Sequence, residues 1–139
     1  MSDLNAALVA ARAAEIRQNV AKIREYTAVP DEQFWADERY LYSVMHLLLV
    51  AIEATAALCS HAVARLARKT PASYAECFES LQTLGVVDDE LSRRLVLMTR
   101  FRNILVHRYW EVDDARVLDY ARHNLGDFER FLEAYEQLI

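Results

Sequence analysis

Residues 41–66 read LYSVMHLLLVAIEATAALCSHAVARL. Leu41, Met45, Leu48, Ile52, Thr55, Cys59, Ala62 and Leu66 recur in it at steps of three and four, the spacing that lines up side chains on one helix face. No Gly or Pro interrupts the stretch, so it predicts one long helix, with Phe34 and Trp35 leading into it. The same period appears on both sides. Val9, Ala13, Ile16, Val20 and Ile23 mark an earlier helix capped by Ser2 or Asp3 and running to about Tyr26. Leu91, Leu95, Met98, Phe101 and Leu105 mark a later one that starts at Asp88, Asp89 and Glu90 and reaches about His107. Leu118, Ala121, Leu125, Phe128, Leu132, Tyr135 and Ile139 predict a last helix beginning near Asp113 or Asp114.

Between these lie the punctuation marks. Pro30 and Asp31 separate the first two helices, and residues 68–71, RKTP, end the second. Ser73 with Glu76 three residues later forms a capping box for a short helix that Gly85 stops. No segment alternates with period two. The reading is an all-α, up-and-down bundle of four main helices plus one short helix, in one domain spanning residues 1–139.

Composition narrows the function. Two glycines and two prolines in 139 residues cannot supply the turns of a β-sandwich or the loops that cradle nucleotide phosphates. A net charge of −5 argues against coating nucleic acid by bulk charge, so any such contact is focal. Cys59 and Cys77 are too few for a disulfide framework and form no CxxC pair, which places the chain in a reducing cytoplasm. Asp3, Arg12, Glu15 and Arg17 exclude a signal peptide. The apolar run 41–52 contains His46 and is closed by Glu53, too short and too polar to cross a bilayer, so no membrane partner is expected. There is no HExxH, no ExxH pair and no EF-hand loop; neither a metal nor a cofactor is expected.

Chemistry concentrates in residues 91–110. The window has no acidic residue but contains Arg93, Arg94, Arg100, Arg102, His107 and Arg108. A solvated helix face would explain so many arginines by itself. The string RNILVHRYW, residues 102–110, adds Asn103, His107 and Tyr109 to the pattern. A guanidinium can grip a phosphodiester through parallel hydrogen bonds, and an imidazole titrating near neutrality can move protons to and from its oxygens. RNA supplies its own nucleophile, the 2′-hydroxyl. Five residues turn a helix by roughly 140°, so Arg102 and His107 of one regular helix do not share a face. Asn103 and His107 do, as do Arg100 and His107. Arg102 rejoins them if the helix ends before His107, or if two copies meet across a dimer axis; the dimer is the preferred reading.

At this string the chain resembles the HEPN superfamily and, within it, the HepT toxins of prokaryotic HepT–MntA toxin–antitoxin pairs. Their mark is Arg, four residues, His, one residue, Tyr. The resemblance extends over RNILVHRYWEVDD, the YLYSVMHLLLVAIEA helix, the 71–74 approach to the short helix, residues 78–85 and the last helix. It implies an all-helical homodimer whose two motifs build a metal-independent endoribonuclease site cleaving RNA, tRNA or mRNA, in a type VII-like system. Arg102 and His107 match the essential pair, Asn103 the polar residue after the Arg, and Arg100 is a supporting cation. The implied partner is a small MntA-like nucleotidyltransferase antitoxin that transfers AMP from ATP to Tyr109. The alternative is a non-catalytic helical subunit that docks a nucleotidyltransferase and presents its substrate.

The remaining candidates are weaker. His46, His61 and His123 lie far from the motif and receive no role. Glu53 reads first as a bundle-edge residue in water, and second as the partner of an arginine from the motif helix, since a carboxylate in an apolar stripe needs one. Trp110, beside the motif, is a candidate for stacking on a base.

Overall fold

The computed structural model describes residues 3–139. Helix α1 is Ala6–Thr27, α2 Asp31–Ala36, α3 Glu38–Leu66, α4 Tyr74–Thr83 and α5 Asp89–His107. A single 3₁₀ turn, Tyr109–Glu111, leads to α6, Asp114–His123, and α7, Gly126–Glu136. The described residues contain no strand, and the all-α bundle is as expected.

The periodicities translate directly into burial. Val9, Ala13, Ile16, Val20 and Ile23 are the buried residues of α1, and they pack on α3. α3 is buried along most of its length, from Leu41 to Val63, and contacts α1, α2, α4, α5, α6 and α7. By length and composition it could cross a bilayer, a wider apolar span than the 41–52 run, but 56% of that window is buried inside the bundle. It is the central core helix.

Two boundaries differ from the sequence reading. Ser2 lies outside the described residues, and Asp3 does not cap α1: the Asn5 side chain accepts from the Leu8 N–H at 3.1 Å. The N–H of Asn5 in turn donates to Nε2 of His61 at 2.9 Å, tying the start of α1 to α3. The Phe34–Trp35 lead-in is a separate helix, α2, with Phe34 buried and Trp35 exposed. Asp37 then caps α3 by accepting from the Arg39 N–H at 3.0 Å.

The short helix α4 obeys its signals. Ser73 Oγ accepts from the Glu76 N–H at 3.1 Å, while the Glu76 carboxylate accepts from the Ala72 N–H, one residue further back than a regular capping box reaches. At its end Val86 N–H bonds to Leu81 O and Gly85 N–H to Gln82 O, the paired bonds of a Schellman motif. Gly85 has φ 77°, which a side chain would strain.

The predicted last helix is divided. Asn124 leaves helical geometry at φ −116°, ψ 4°, and Asp127 N–H and Phe128 N–H tighten onto Asn124 O and Leu125 O. Asn and Gly at positions 124 and 126 are weak helix formers, and the break places Asp127 in the first turn of α7, where the helix dipole favours a carboxylate. Asp127 is buried and accepts from Arg94 Nε and Arg130 Nη2, both at 2.7 Å. The apolar period continues across the break, so Leu118, Leu125, Phe128, Leu132 and Tyr135 still face the core.

Burial, with Arg65 nearby, holds the His61 imidazole below its ordinary pKa. The folded protein therefore favours neutral His61, whose contribution to stability is complete above the unfolded value of about 6.5 and is lost as pH falls through the folded one. Urea unfolding between pH 7.5 and 5 should show the wild type losing more stability than His61→Gln, which keeps an acceptor but does not titrate.

Candidate active site

α5 starts with the Asp88 side chain accepting from the Leu91 N–H at 2.8 Å and runs without interruption through His107. The helix does not end before the histidine. Arg102 and His107 therefore remain roughly 140° apart around one helix, and the convergence expected of a helix ending before His107 does not occur. Arg108 leaves the helix at φ −137°, ψ 43°, and the 3₁₀ turn that follows carries Tyr109 and Trp110 outward. Both rings are about two-thirds exposed, at 68% and 69%, and meet edge to face at 5.3 Å.

Arg102 is the most constrained arginine of the segment. Its Nε donates to Glu53 Oε1 at 2.6 Å and its Nη1 to Asn103 Oδ1 at 3.1 Å. The guanidinium carbon lies 4.8 Å from the centre of the Tyr74 ring, and the Tyr74 hydroxyl donates to the other Glu53 oxygen at 2.7 Å. α3, α4 and α5 thus each contribute one group to a closed circuit around one cation. Burial and the Glu53 carboxylate raise the Tyr74 pKa, so its phenol stays protonated and able to donate. The Arg102 side chain is 19% exposed, the Tyr74 hydroxyl lies beside its guanidinium, and Nη2 takes no part in the bonds to Glu53 and Asn103.

The second reading of Glu53 is the one realised. Its signal in the sequence was a carboxylate inside an apolar stripe. Tyr74 was missed: it stood only at the approach to α4, and nothing in its sequence context tells which helix its ring will face.

The other arginines of α5 and its C-cap are largely neutralised. Arg93 pairs with Asp89 at 3.1 Å, Arg94 with Asp127, and Arg108 with Glu111 at 3.5 Å. Arg100 has no carboxylate partner among the described residues, and the His107 imidazole makes no hydrogen bond or ion pair with them. Among the described residues no three His, Cys, Asp or Glu side chains converge as metal ligands.

A family model described as ribonuclease HepT-like matches residues 16–135, which takes in the helices α3 to α6 and the whole motif. The chain belongs to the HepT-like ribonuclease family. As a member it is a ribonuclease. The HepT-like chain is 31% identical to the mRNA nuclease HepT of Shewanella oneidensis over 101 residues, 73% of this chain and 76% of that protein. A tri-AMPylated HEPN toxin from the same organism, solved in complex with MNT antitoxin, superposes with a TM-score of 0.87 at 26% identity, covering 99% of both chains. A toxin–antitoxin structure with AMP-PNP gives 0.84 at 26% identity, covering 97% of this chain and 99% of that one.

In this HepT-like chain Glu53 positions Arg102 rather than contributing much stability, because the pair is partly solvated and such pairs are worth at most about 1 kcal/mol. Glu53→Ala should melt within a few degrees of the wild type yet lose roughly tenfold to a hundredfold in RNA cleavage as the guanidinium loses its aim. Glu53→Gln, which still accepts a hydrogen bond, should recover part of that loss. Equal activity in all three proteins would remove Glu53 from the site.

Proposed function

We propose that this chain is the toxin of a toxin–antitoxin pair, a single-domain, cytoplasmic endoribonuclease that cleaves RNA without a metal at a site composed by two copies of the chain. The observation that carries the reading is the state of Arg102: aimed by Glu53, Tyr74 and Asn103, with one edge left for an anion. A surface arginine with no such task has no need of three positioning contacts. The free edge would hold a non-bridging phosphate oxygen of RNA, and it would stabilise the charge that builds there as the 2′-hydroxyl oxygen bonds to phosphorus. His107 would exchange protons with the attacking and departing oxygens. The bond from phosphorus to the 5′-oxygen breaks, leaving a 2′,3′-cyclic phosphate and a 5′-hydroxyl.

Because Arg102 and His107 of one copy point to different sides of α5, the phosphate held by one copy is served by the histidine of the other in a symmetric dimer. Exposed Val106 on α5, on the side opposite Leu97, is available to such a contact. Asn103 holds the guanidinium in plane, and Arg100 adds positive charge on the His107 face. The partner we infer is a nucleotidyltransferase antitoxin of the kind found with the structural relatives, with Tyr109 as the acceptor of AMP. An exposed phenol on a protruding 3₁₀ turn, among arginines, suits that reaction: its oxygen bonds to the α-phosphorus of ATP and pyrophosphate leaves.

Cleavage should persist in excess EDTA, and His107→Ala should reduce it by about 10²–10⁴-fold with the melting curve intact. Arg102→Lys should also be poor, since an ammonium keeps the charge but not the planar fork. Product analysis finding a 3′-hydroxyl end would refute the mechanism.

Incubation with the cognate nucleotidyltransferase, ATP and magnesium should add AMP to the wild type and abolish cleavage, with mass spectrometry mapping the adduct to Tyr109. Tyr109→Phe should stay unmodified and active. If the antitoxin silences the phenylalanine variant equally, masking by complex formation replaces modification as the mechanism.

A further inference from the structure

On the side of α5 away from Arg102, a cavity of about 500 Å³ opens between α5, the 3₁₀ turn and α6. Its size falls within the roughly 300–1,000 Å³ typical of small-molecule sites. Leu97, Phe101, Ile104 and Val112 give it an apolar lining, and Phe101 is backed by the Tyr120 ring, stacked on it at 4.9 Å and 16°. Arg100 from α5 and Arg116 from α6 stand at its rim. Neither has a carboxylate partner among the described residues, whereas the other arginines of α5 and α6 are each paired.

The acids that also line it are engaged elsewhere. Glu111 pairs with Arg108, Asp113 caps α6 by accepting from the Ala115 N–H at 3.0 Å, and Asp119 lies 3.7 Å from His123. Arg100 and Arg116 are thus the cations of the lining without a carboxylate partner; Glu111 is offset by Arg108, while Asp113 and Asp119 keep their charge but direct it to the start of α6 and to His123. An apolar slot with a stacked aromatic pair at its base and two free guanidiniums at its rim matches a nucleotide, its base in the slot and its phosphate at the rim. Leu97, Arg100, Ile104 and His107 succeed one another at steps of three and four, so the cavity lies on the face of α5 that ends in the proposed proton-transfer residue.

We propose that this cavity is a subsite for an RNA nucleotide flanking the cleaved bond, with Arg100 and Arg116 holding its phosphate. The proposal rests on the ribonuclease reading above. The subsite sets which strand enters and how it lies along α5, and through the shape of the slot it discriminates among bases.

The test measures binding separately from cleavage. A fluorescent hexanucleotide carrying 2′-O-methyl groups, which has no nucleophile, is titrated with the intact protein and followed by anisotropy. Arg116→Ala should raise Kd about tenfold and flatten its salt dependence, Arg116→Lys should recover part of the affinity, and Arg17→Ala, paired with Glu136 on another face, should bind as the wild type. Thermal melts establish that each variant is folded. Unchanged binding by folded Arg116→Ala overturns the subsite. So does a fall in sedimentation coefficient to that of a monomer in Arg116→Ala or Leu97→Gln, because the cavity is then covered by a second copy. If the wild type binds the hexanucleotide in an Arg116-dependent way but does not cut its 2′-hydroxyl counterpart, the subsite stands and the proposed cleavage mechanism fails.

Discussion

A 29-residue helix that is apolar around most of its circumference has to be covered from every side, and that requirement organises the bundle. α1 covers one flank of α3 over much of its length; α4 and α5 cover another; α6 and α7 close the remainder. Glu53 lies where this covering is incomplete, at the seam of α4 and α5. The Glu53 carboxylate there is partly solvated, and its two oxygens accept from Arg102 and Tyr74. The site is thus a consequence of how the core helix is enclosed. The same packing that buries Leu58, Cys59 and Ala62 fixes the distance from α3 to α5, and with it the position of the guanidinium.

Charge is distributed with the same economy. The chain is acidic overall, and most arginines of the segment rich in them are neutralised by carboxylates from the same or a neighbouring helix. Exposed pairs such as Arg93 with Asp89 contribute little to stability, but they cancel positive potential away from the motif. Arg102 is held by Glu53 with part of its side chain still exposed, and Arg100 alone among the arginines of α5 has no carboxylate partner among the described residues. On the proposed reading a polyanion would be drawn to a place rather than to a surface.

The helices were legible because burial in a bundle is periodic, and the period is written in the residues themselves. All five apolar positions read on α1 are its buried set, and Gly85 stops α4 for the reason its lack of a side chain implies. Failures came where a local signal competes with the period. The apolar alternation runs unbroken from Leu118 to Tyr135, yet the backbone breaks at Asn124, because Asp127 is drawn into a buried pair of arginine contacts that periodicity does not encode. Asp3 lost the cap of α1 to Asn5, whose N–H has a histidine acceptor 56 residues away. At the candidate site, Arg102, Asn103, His107 and Tyr109 stood out through the string RNILVHRYW and its resemblance to the HepT motif, whereas Tyr74 did not, since its contact with Arg102 depends on how α4 docks against α3.

The angle between Arg102 and His107 is the remaining constraint on mechanism. A kinked or shortened α5 would have let one copy hold and protonate the same phosphate, but the helix stays regular from Asp89 to His107. Arg102 is committed to the α3–α4 side by its bond to Glu53, and rotating it toward His107 would give up that bond and the contact with the Tyr74 ring. Bringing a second α5 alongside costs no such rearrangement. In the proposed two-fold dimer the arginine of each copy would lie beside the histidine of the other, and such a shared site would leave every contact of the folded chain in place.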